Sequence, residues 1–263
     1  MSIISWNVRG LGKPRAVNCL RNSLRGIHPQ FLLLMETKLS ARRMERVRHK
    51  CGFRFGIDVA AVGSRGGLSF GWKPESNVHL RSYSKHHIDV EIHDDDNGPW
   101  RLIGFYGNPV EQSRPESWDL LRQLATDQSL PWIVVGDFNE ILYSFEKNGG
   151  RQRSTRNMAL FQDTLVDCDL TDLGFKGVWY TWEHGRLATN NIRERLDRAV
   201  ANPSWWERFP EYSVTHLSHT ISDHCPLRVE STSSNGHSRR KLESGFRFEA
   251  SWVLEDDIEH TIQ

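Results

Sequence analysis

The stretch from Trp132 to Glu140, WIVVGDFNE, constrains the fold more than any other part of the chain. Its first four residues are apolar and mostly β-branched, which predicts a buried strand. Gly136 interrupts this run and is followed by Asp137 and Asn139. Because residues i and i+2 of an extended chain point to the same side, the strand should end by presenting a carboxylate beside an amide. The carboxylate can accept a proton from water or hold a metal ion, and the amide can orient the same water.

Polar residues of similar kinds follow other apolar segments. ISWN ends in Asn7, FLLLMET carries Glu36, RLIGFY ends at Tyr106, and SDH places Asp223 beside His224. If the strands pack side by side, their ends meet at one cleft. Oxygen ligands of this kind favour Mg²⁺ or Mn²⁺ over zinc, and Mg²⁺ usually binds one or two carboxylates together with substrate phosphate. The pattern therefore predicts a phosphate ester as the substrate.

His224 ionises near neutral pH and needs a carboxylate to orient its ring. Asp197, in RERLDRAV, is the candidate. Its carboxylate would fix the tautomer and favour the imidazolium form, which could stabilise charge on a phosphate in the transition state. The alternative is that Asp197 pairs with Arg195 or Arg198 on an exposed face.

The bulk composition is that of a globular protein. The 263 residues are 38% hydrophobic and 25% charged, enough to bury the core of one sizeable domain. The formal net charge of +1 does not indicate a nucleic-acid partner, so local charge must carry that argument. Four widely spaced cysteines without a CxxC pair favour reduced thiols in an intracellular protein. We find no secretory signal or membrane-spanning run, and expect neither secretion nor membrane association.

Helices and strands alternate along the chain. The spacing of apolar residues predicts helices over residues 14–26, 40–51 and 154–168, with another that opens at Pro115. Two hairpins are predicted, one joined at Asp96-Asn97-Gly98 and one with a polar tip at residues 184–191; a last strand is predicted over residues 222–230. Interleaved helices together with hairpins predict an α/β (α+β) fold with antiparallel or mixed sheet.

The composition changes after Glu230, which predicts a domain over residues 1–230. Residues 231–245 are rich in Ser and Gly and are basic, as is typical of a linker. Residues 246–263 regain apolar side chains and predict a short helix-like segment.

Seven motifs occur in one order along the predicted domain: ISWNVRG, METK, GFYG, VVGDFNE, YTW, RERLDRA and ISDHCPL. The set resembles the endonuclease/exonuclease/phosphatase superfamily, which has the DNase I-like fold. The resemblance implies a four-layer α/β sandwich, in which two mainly antiparallel or mixed sheets pack face to face with helices outside. ISWNVRGLG, LDRA and SDHCPL are most similar to the endonuclease domains of plant non-LTR (LINE-type) retrotransposons. The trailing FRFEASWVLED resembles the segment that joins those domains to a reverse transcriptase, and no polymerase sequence follows it in these 263 residues.

The resemblance implies a role for each matching position. The residues implied for the metal site, with Mg²⁺ or Mn²⁺ in its place, are Glu36, Asn7 and Asp223. The residues implied for catalysis are Asp137, Asn139, His224, Asp197 and Tyr106. Substrate contacts are implied for Thr181, Arg195 and Asn108. Asp137 would activate water that Asn139 orients, while His224 would bind or protonate a phosphate oxygen. The sequence leaves open whether Asp137 or His224 is the base, whether Tyr106 is only an interior aromatic, and whether Thr181 is only a core residue.

Local clusters of positive charge favour DNA as the partner. The segment 38–54 contains seven Lys and Arg residues against one acid, Glu45, and further arginines flank the predicted hairpin. Such clusters give salt-sensitive affinity for the phosphate backbone, although a solvated helix face is the plainer interpretation of the segment 38–54. The tip at residues 184–191 resembles the hairpin that related nucleases place in the minor groove, where shape would bias the cleavage site.

The leading hypothesis is a Mg²⁺-dependent endonuclease that nicks DNA at a retrotransposon target site and leaves a 3′-hydroxyl. The alternatives are a phosphomonoesterase or deadenylase of the same fold, and a non-catalytic relic that still binds nucleic acid. We expect a monomer that acts in the nucleus, on the grounds of its substrate and a weak basic signal at residues 239–241.

Overall fold

The computed structural model describes residues 1–94, 98–126, 129–185, 187, 189–218 and 221–231. The predicted linker from residue 232 on, the predicted segment 246–263 and the turn at Asp96-Asn97 lie outside the described residues. So do two residues of the predicted hairpin tip. No helix in the described ranges is long and apolar enough to cross a membrane.

Five α-helices and sixteen strands occupy the described residues. The helices are α1 Pro14–Ile27, α2 Ala41–Lys50, α3 Arg114–Ala125, α4 Thr155–Asp167 and α5 Pro203–Arg208. The strands of the first half are β1 Ser2–Asn7, β2 Phe31–Met35, β3 Phe55–Val59, β4 Leu68–Trp72, β5 Asn77–Tyr83, β6 His87–Asp94 and β7 Gly98–Tyr106. The strands of the second half are β8 Trp132–Asp137, β9 Lys147–Asn148, β10 Thr171–Asp172, β11 Lys176–Gly177, β12 Trp182–His184, β13 Ile192–Glu194, β14 Asp197–Ala201, β15 Tyr212–His216 and β16 Leu227–Ser231.

The strands form two large mixed sheets and one small sheet. The seven-stranded sheet has the order β11-β15-β16-β1-β2-β4-β3, and the six-stranded sheet has the order β10-β14-β8-β7-β6-β5. A third sheet of three strands, β12-β13-β9, contains the second predicted hairpin. Most neighbours are antiparallel, but three pairs are parallel: β1 with β2, β7 with β8, and β11 with β15.

Successive side chains of a strand pack alternately in the core between the two sheets and in the cores under the outer helices. In β2, Leu33 belongs to the core between the sheets, whereas Leu32 and Leu34 pack in the core that includes α1 and α2. In β8, Val135 faces the other sheet and Val134 packs in the core that includes α3 and α4. Successive residues of a strand point to opposite faces, so both faces of each sheet are covered. The predicted four-layer α/β arrangement with outer helices is therefore confirmed.

Two of the parallel pairs, β1 with β2 and β7 with β8, bring the predicted site residues to one edge of the sandwich. Asn7 lies opposite Met35, so Glu36 follows directly at the end of β2. Tyr106 lies opposite Asp137 at the ends of β7 and β8. Parallel strands end at the same edge, which is why residues so far apart in sequence meet here.

The last strand differs from its prediction. β16 begins at Leu227, not at residue 222, and the residues before it form an irregular loop with one isolated bridge between Trp182 and His224. The Ser222 hydroxyl donates to the Asn7 carbonyl oxygen (2.6 Å) and accepts from the His224 N–H (3.1 Å). These side-chain bonds replace a regular ladder and fix the loop.

The two ends of the described domain meet at the opposite edge. The Met1 ammonium group donates to the Ser231 carbonyl oxygen at 2.8 Å, and the Ser231 N–H donates back to the Met1 carbonyl at 3.0 Å. β1 and β16 are antiparallel neighbours, so their far ends carry the loop that holds the site.

Candidate active site

Asn7 connects the two large sheets at the site. Its Nδ2 donates to Glu36 Oε1 at 3.2 Å and to Asp137 Oδ2 at 2.8 Å. Both partners are carboxylates, which only accept hydrogen bonds when ionised, so the amide nitrogen must face them. Glu36 follows the first sheet's β2 and Asp137 ends the second sheet's β8. The carboxylates predicted to share a site are therefore joined through one side chain.

Asp137, His224 and Asp197 form the buried part of the site. His224 Nδ1 lies 2.7 Å from Asp197 Oδ2, and His224 Nε2 lies 3.8 Å from Asp137 Oδ2. Asp197 and Asp137 are cross-strand neighbours of β14 and β8, which sets their spacing. The predicted partnership of Asp197 with His224 is what the structure contains, in place of an exposed pairing with arginine.

Burial and charge shift the ionisation of this group. Burial raises the pKa of Asp137 above its ordinary value of 3.8; the positive charge of His224 opposes this shift, and the negative charge of Asp197 adds to it. Burial would lower the pKa of His224, but the carboxylates of Asp197 and Asp137 outweigh it and raise that pKa above its ordinary 6.5. A histidine held in this way favours the imidazolium form at neutral pH.

Glu36 lies at the outer side of the site among donors. Its Oε1 accepts from the Tyr106 hydroxyl at 3.0 Å, and Lys38 Nζ lies 3.2 Å from its Oε2. Burial would raise the pKa of Glu36, but hydrogen bonds from Asn7 and Tyr106 and the charges of Arg9 and Lys38 outweigh it and lower that pKa. Burial and the charges of Asp137 and Glu36 raise the pKa of Tyr106, so its hydroxyl remains a donor.

Arg9 joins Glu36 to Asp223. Its Nη1 lies 3.3 Å from Glu36 Oε1 and its Nε lies 3.1 Å from Asp223 Oδ1. The other oxygen of Asp223 accepts from Trp182 Nε1 at 3.0 Å. The Trp182 ring also lies beside His224, with centroids 6.4 Å apart. Asp223 therefore belongs to the outer side of the site with Glu36, as predicted from its sequence position.

Four residues of the site adopt the left-handed backbone conformation without being glycine. They are Arg9, Glu36, Lys38 and Asn139, with φ between 50° and 56°. Such conformations are costly for residues with a Cβ and persist where the surrounding structure holds them. Their concentration at these strand ends is independent support for a functional site.

Asn139 is fixed two residues after Asp137. Its N–H donates to Asp137 Oδ1 at 2.9 Å, and its Nδ2 donates to the Gly107 carbonyl at 2.8 Å. Arg153 Nη1 holds the Asn139 carbonyl at 3.1 Å. Gly136, which marks the end of the apolar run, is required here because a Cβ would collide with the Phe105 carbonyl oxygen.

Two predicted substrate contacts need correction. Arg195 is buried (1% exposed) and paired with Glu146 and Asp172, so its guanidinium is not free to bind substrate. Thr181 is equally buried, and its Oγ1 accepts from the N–H groups of Leu196 and Asp197, both at 2.9 Å. Thr181 thus holds Asp197 in position and does not line the cleft.

Asn7, predicted beside the metal, forms a hydrogen-bond bridge between the two carboxylates. Its Oδ1 accepts from the Arg9 N–H at 3.2 Å, while its nitrogen faces the carboxylates. Its place at the metal site stays a prediction. Asn108 lies in the turn after β7, where its N–H donates to Ser117 Oγ and its Oδ1 accepts from the Val110 N–H.

Sequence reasoning missed Arg9 and Trp182 as members of the site. Arg9 stands two residues after Asn7 in ISWNVRG, and Trp182 ends YTW, so the motifs themselves were the available signal. Arg153 lies outside every motif, and its signal in the sequence is the run of positive residues that follows GDFNE.

Two groups of donors at the site are suited to a metal ion. The carboxylates of Glu36 and Asp223 present oxygens on the outer side, where hard cations such as Mg²⁺ find the ligands that they prefer. Deeper in the site, one ligand atom from each of Asp137, Asp197 and His224 lies within 4.8 Å of the other two. Because Nδ1 of His224 is already bound to Asp197, the outer carboxylates fit a hydrated dication better.

A family profile described as the endonuclease/exonuclease/phosphatase family matches residues 4–224. The chain belongs to this family. Its members are metal-dependent phosphoesterases and nucleases, and the buried Asp137, Asp197 and His224 group is consistent with the family's active site. No curated protein sequence matches the chain at a significant level.

Solved structures confirm the fold. The 3′ phosphatase NExo from Neisseria, bound to a product DNA hairpin, superposes with a TM-score of 0.69 at 19% identity, over 88% of this chain and 99% of that one. The AP endonuclease LMAP from Leishmania major gives 0.66 at 17% identity, over 87% and 86%. The endonuclease domain of TRAS1, a telomere-specific non-LTR retrotransposon, gives 0.63 at 15% identity, over 89% and 99%. At these identities the likeness establishes the architecture only.

Proposed function

We propose that this protein is a Mg²⁺-dependent endonuclease that nicks one strand of DNA and leaves a 3′-hydroxyl. One observation carries the proposal: contacts through Asn7 link Glu36, Asp137, His224 and Asp197 into a continuous group at one edge of the sandwich. The family's phosphoester chemistry needs a metal-binding acid, a base and a cation in one place. Candidates for all three lie in this group, with Asn7 between Glu36 and Asp137 and with His224 beside Asp137.

Asp137 is proposed as the general base. The raised pKa of Asp137 lies closer to neutral pH, where base catalysis is most effective, and Asn139 is proposed to orient the same water. His224 has a raised pKa and serves as the cation, so it stabilises or protonates a phosphate oxygen. Asp197 holds the ring, and Tyr106 is the proposed donor to the scissile phosphate.

Glu36 and Asp223 are the residues proposed to hold Mg²⁺, with Mn²⁺ as a substitute. The ion would neutralise charge on the scissile phosphate. Lys38 holds the Oε2 atom of Glu36, and Tyr106 holds its Oε1, so the carboxylate is oriented by the protein's own groups. This second layer of contacts is what usually tunes a metal site.

DNA is the proposed substrate because unpaired positive charge lies beside the site. The loop after Asn7 and the helix α2 enclose a groove of about 240 Å³ that is lined by Lys13, Arg43, Arg46 and Lys50. Within the described part of the chain, none of these four cations forms an ion pair. Lys38 adds a further cation at the site itself, where its Nζ lies 3.2 Å from Glu36 Oε2. A backbone of phosphates is the partner that such a surface fits.

Nicking at a retrotransposon target site is the finer part of the proposal. It is supported by the similarity of ISWNVRGLG and SDHCPL to plant non-LTR retrotransposon endonucleases. The hairpin of β12 and β13 extends from the site next to Trp182, where it would enter the minor groove and bias the choice of site. Such a substrate also places the protein in the nucleus.

Nicking of supercoiled plasmid tests the proposal. We expect relaxation with Mg²⁺, and none with EDTA or with Asp137→Asn, because the substitution removes the base while keeping its shape. The matched control is Asp163→Asn, the same chemical change at an exposed position of α4, which should keep full activity. A DNA polymerase should extend the nicks without prior treatment, because each carries a 3′-hydroxyl.

Other outcomes would contradict the proposal in distinct ways. Hydrolysis of a 3′-phosphorylated oligonucleotide or of inositol phosphates, with plasmid left intact, would show a phosphomonoesterase. Retarded migration of DNA without any hydrolysis in Mg²⁺ or Mn²⁺ would show a non-catalytic binding protein.

A further inference from the structure

Arg9 contacts both of the carboxylates proposed to hold the divalent cation. Its guanidinium spans Glu36 Oε1 and Asp223 Oδ1, at 3.3 Å and 3.1 Å. The Arg9 side chain is 46% exposed, whereas those of Glu36 and Asp223 are only 9% and 24% exposed. The acids are thus fixed within the site, and the cation that joins them reaches in from solvent.

The backbone holds Arg9 in this place. Its N–H donates to Asn7 Oδ1, and its φ of 50° turns the chain sharply before Gly10. The turn directs the side chain back over the ends of β1 and β2. Because a non-glycine residue in this conformation is unfavourable, the site is built around this position at some energetic cost.

We propose that Arg9 is a built-in competitor of the divalent cation, one that exchanges with it at Glu36 and Asp223. This inference rests on the metal site of the proposed function. A guanidinium and a hard dication would use the same oxygens, so contact with one excludes close contact with the other. The forked guanidinium satisfies two carboxylates from different parts of the chain at once, with a fixed planar geometry that the point charge of a lysine does not reproduce.

The local charge balance indicates the direction of the effect. Glu36 and Asp223 carry two negative charges, and Arg9 and Lys38 supply two positive charges in contact with them. Arg9 therefore lowers the affinity for a dication and stabilises the pair of acids by itself. Once the dication displaces it, the Arg9 guanidinium lies at the open side of the site, where it can form a bidentate pair with a phosphate group.

Direct titration with Mn²⁺ in the absence of any nucleic acid tests the exchange. Loss of the free-ion electron paramagnetic resonance signal gives the dissociation constant for the wild type and for Arg9→Gln. We expect Arg9→Gln to bind Mn²⁺ about three- to tenfold more tightly, because one opposing charge at contact distance is removed from a partly solvated site. The matched control, Arg25→Gln, changes an exposed arginine of α1 and should leave the constant unchanged.

Thermal unfolding supplies a second measurement. In EDTA, Arg9→Gln should melt below the wild type, because two acids lose their shared counter-ion. Saturating Mn²⁺ should shrink that difference. Arg9→Lys keeps the charge but not the fork, and should fall between the wild type and Arg9→Gln in Mn²⁺ affinity, which provides a test should Arg9→Gln fold poorly.

Two outcomes would overturn the inference, and they are distinguishable. Unchanged or weaker Mn²⁺ binding by Arg9→Gln would mean that Arg9 supports the metal site or does not affect it, and would leave the proposed function intact. Absence of saturable Mn²⁺ binding by every variant and by the wild type would overturn the proposed metal site as well.

Discussion

At the scale of single residues, the site depends on His224 being charged while Asp137 is not protonated. Two hydrogen bonds, one to each residue, favour this condition. Asp197 lies 2.7 Å from His224 Nδ1, and Asn7 lies 2.8 Å from Asp137 Oδ2. One bond favours the imidazolium, and the other favours the carboxylate. The paired ionisation belongs to the group as a whole and not to either residue alone.

The pH dependence of plasmid nicking should therefore be bell-shaped. Activity should rise as Asp137 ionises, above the ordinary 3.8 of an aspartate, and fall as His224 loses its proton, above the ordinary 6.5 of a histidine, because both pKa values are raised. Asp197→Asn removes the charge that raises the pKa of His224, so the alkaline limb should move to lower pH. The rate at the optimum should fall by about 10²- to 10⁴-fold.

Steady-state rates at saturating Mg²⁺, across the pH range, measure both effects. Asp163→Asn serves again as the control with no expected shift. An alkaline limb that stays in place in Asp197→Asn would mean that His224 need not be protonated.

Sequence reasoning located the carboxylates and the histidine but not the contacts between side chains. Asp137 and Glu36 could be predicted because each follows a buried strand, and strand ends converge. The substrate contact that the resemblance implied for Arg195 was wrong, because the strand is interrupted there: β13 ends at Glu194 and β14 begins at Asp197. The break turns Arg195 into the interior, towards Glu146, even though Asp197 stands only two residues away. Whether a strand continues across such a break depends on tertiary contacts that periodicity does not record.

At the scale of elements, α1, α2 and α4 were predicted to within a residue at each end, and the start of α3 to within one residue. Their apolar spacing and opening residues are strong local signals. The loop that carries Asp223 and His224 was not distinguished from strand β16. Its shape comes from the Ser222 hydroxyl, which bonds to the Asn7 carbonyl 215 positions away. A bond of that separation leaves no trace in the local pattern.

The sequence left open whether the positive charges of helix α2 bind DNA or form a solvated helix face. Arg48 is buried and paired with Asp58, so it belongs to the packing. Arg43 and Arg46 are exposed and line the groove beside α1. The charged face of α2 is thus solvated and at the same time available to DNA.

Removing the charges of the groove should weaken DNA binding without changing the chemical step. Arg43→Gln/Arg46→Gln should lower affinity for duplex DNA and reduce the slope of log affinity against log salt by about 2, because each phosphate contact releases counter-ions. Fluorescence anisotropy at several salt concentrations measures the slope. Nicking at saturating DNA should keep its rate.

The matched comparison is Arg15→Gln/Arg25→Gln, which removes two exposed charges from α1 that do not line the groove. Equal loss of salt dependence in both pairs would show that only the overall charge matters and that the groove has no special role.

At the scale of the whole molecule, a buried cluster of charge ties the segment after the catalytic strand β8 to the strands that follow. Glu146 is 1% exposed and accepts from Arg195 Nη1 (2.8 Å) and Arg198 Nη2 (2.9 Å). It also accepts from the Leu142 N–H at 2.6 Å. Asp172 completes the cluster through both arginines. The segment after β8, which carries Asn139, is therefore held in place by this buried cluster.

Glu146→Gln should lower the free energy of unfolding by about 3–5 kcal/mol at pH 7, because it leaves buried arginines without one of their two acids. Urea unfolding measures this. The positive charges of Arg198 and Arg195 outweigh burial and lower the pKa of Glu146 below its ordinary 4.5. A lowered carboxyl pKa gives stabilisation that is complete above 4.5 and disappears as pH falls, so the difference should shrink at pH 3.

The control for this experiment is Glu207→Gln, an exposed acid of α5, which should change stability by less than about 0.5 kcal/mol. A difference for Glu146→Gln that persists unchanged at pH 3 would mean that the carboxylate's charge is not what holds the cluster.

The mutual hydrogen bonds of Met1 and Ser231 have a practical consequence for how the domain can be joined to other polypeptides. Strand β1 runs for 6 residues between this corner and the catalytic edge, a span of roughly 20 Å at the rise of an extended chain. A passenger fused at Met1 would leave from that remote corner and not obstruct the approach of a duplex. A tag at the N-terminus would therefore suit immobilisation with the cleft facing outward.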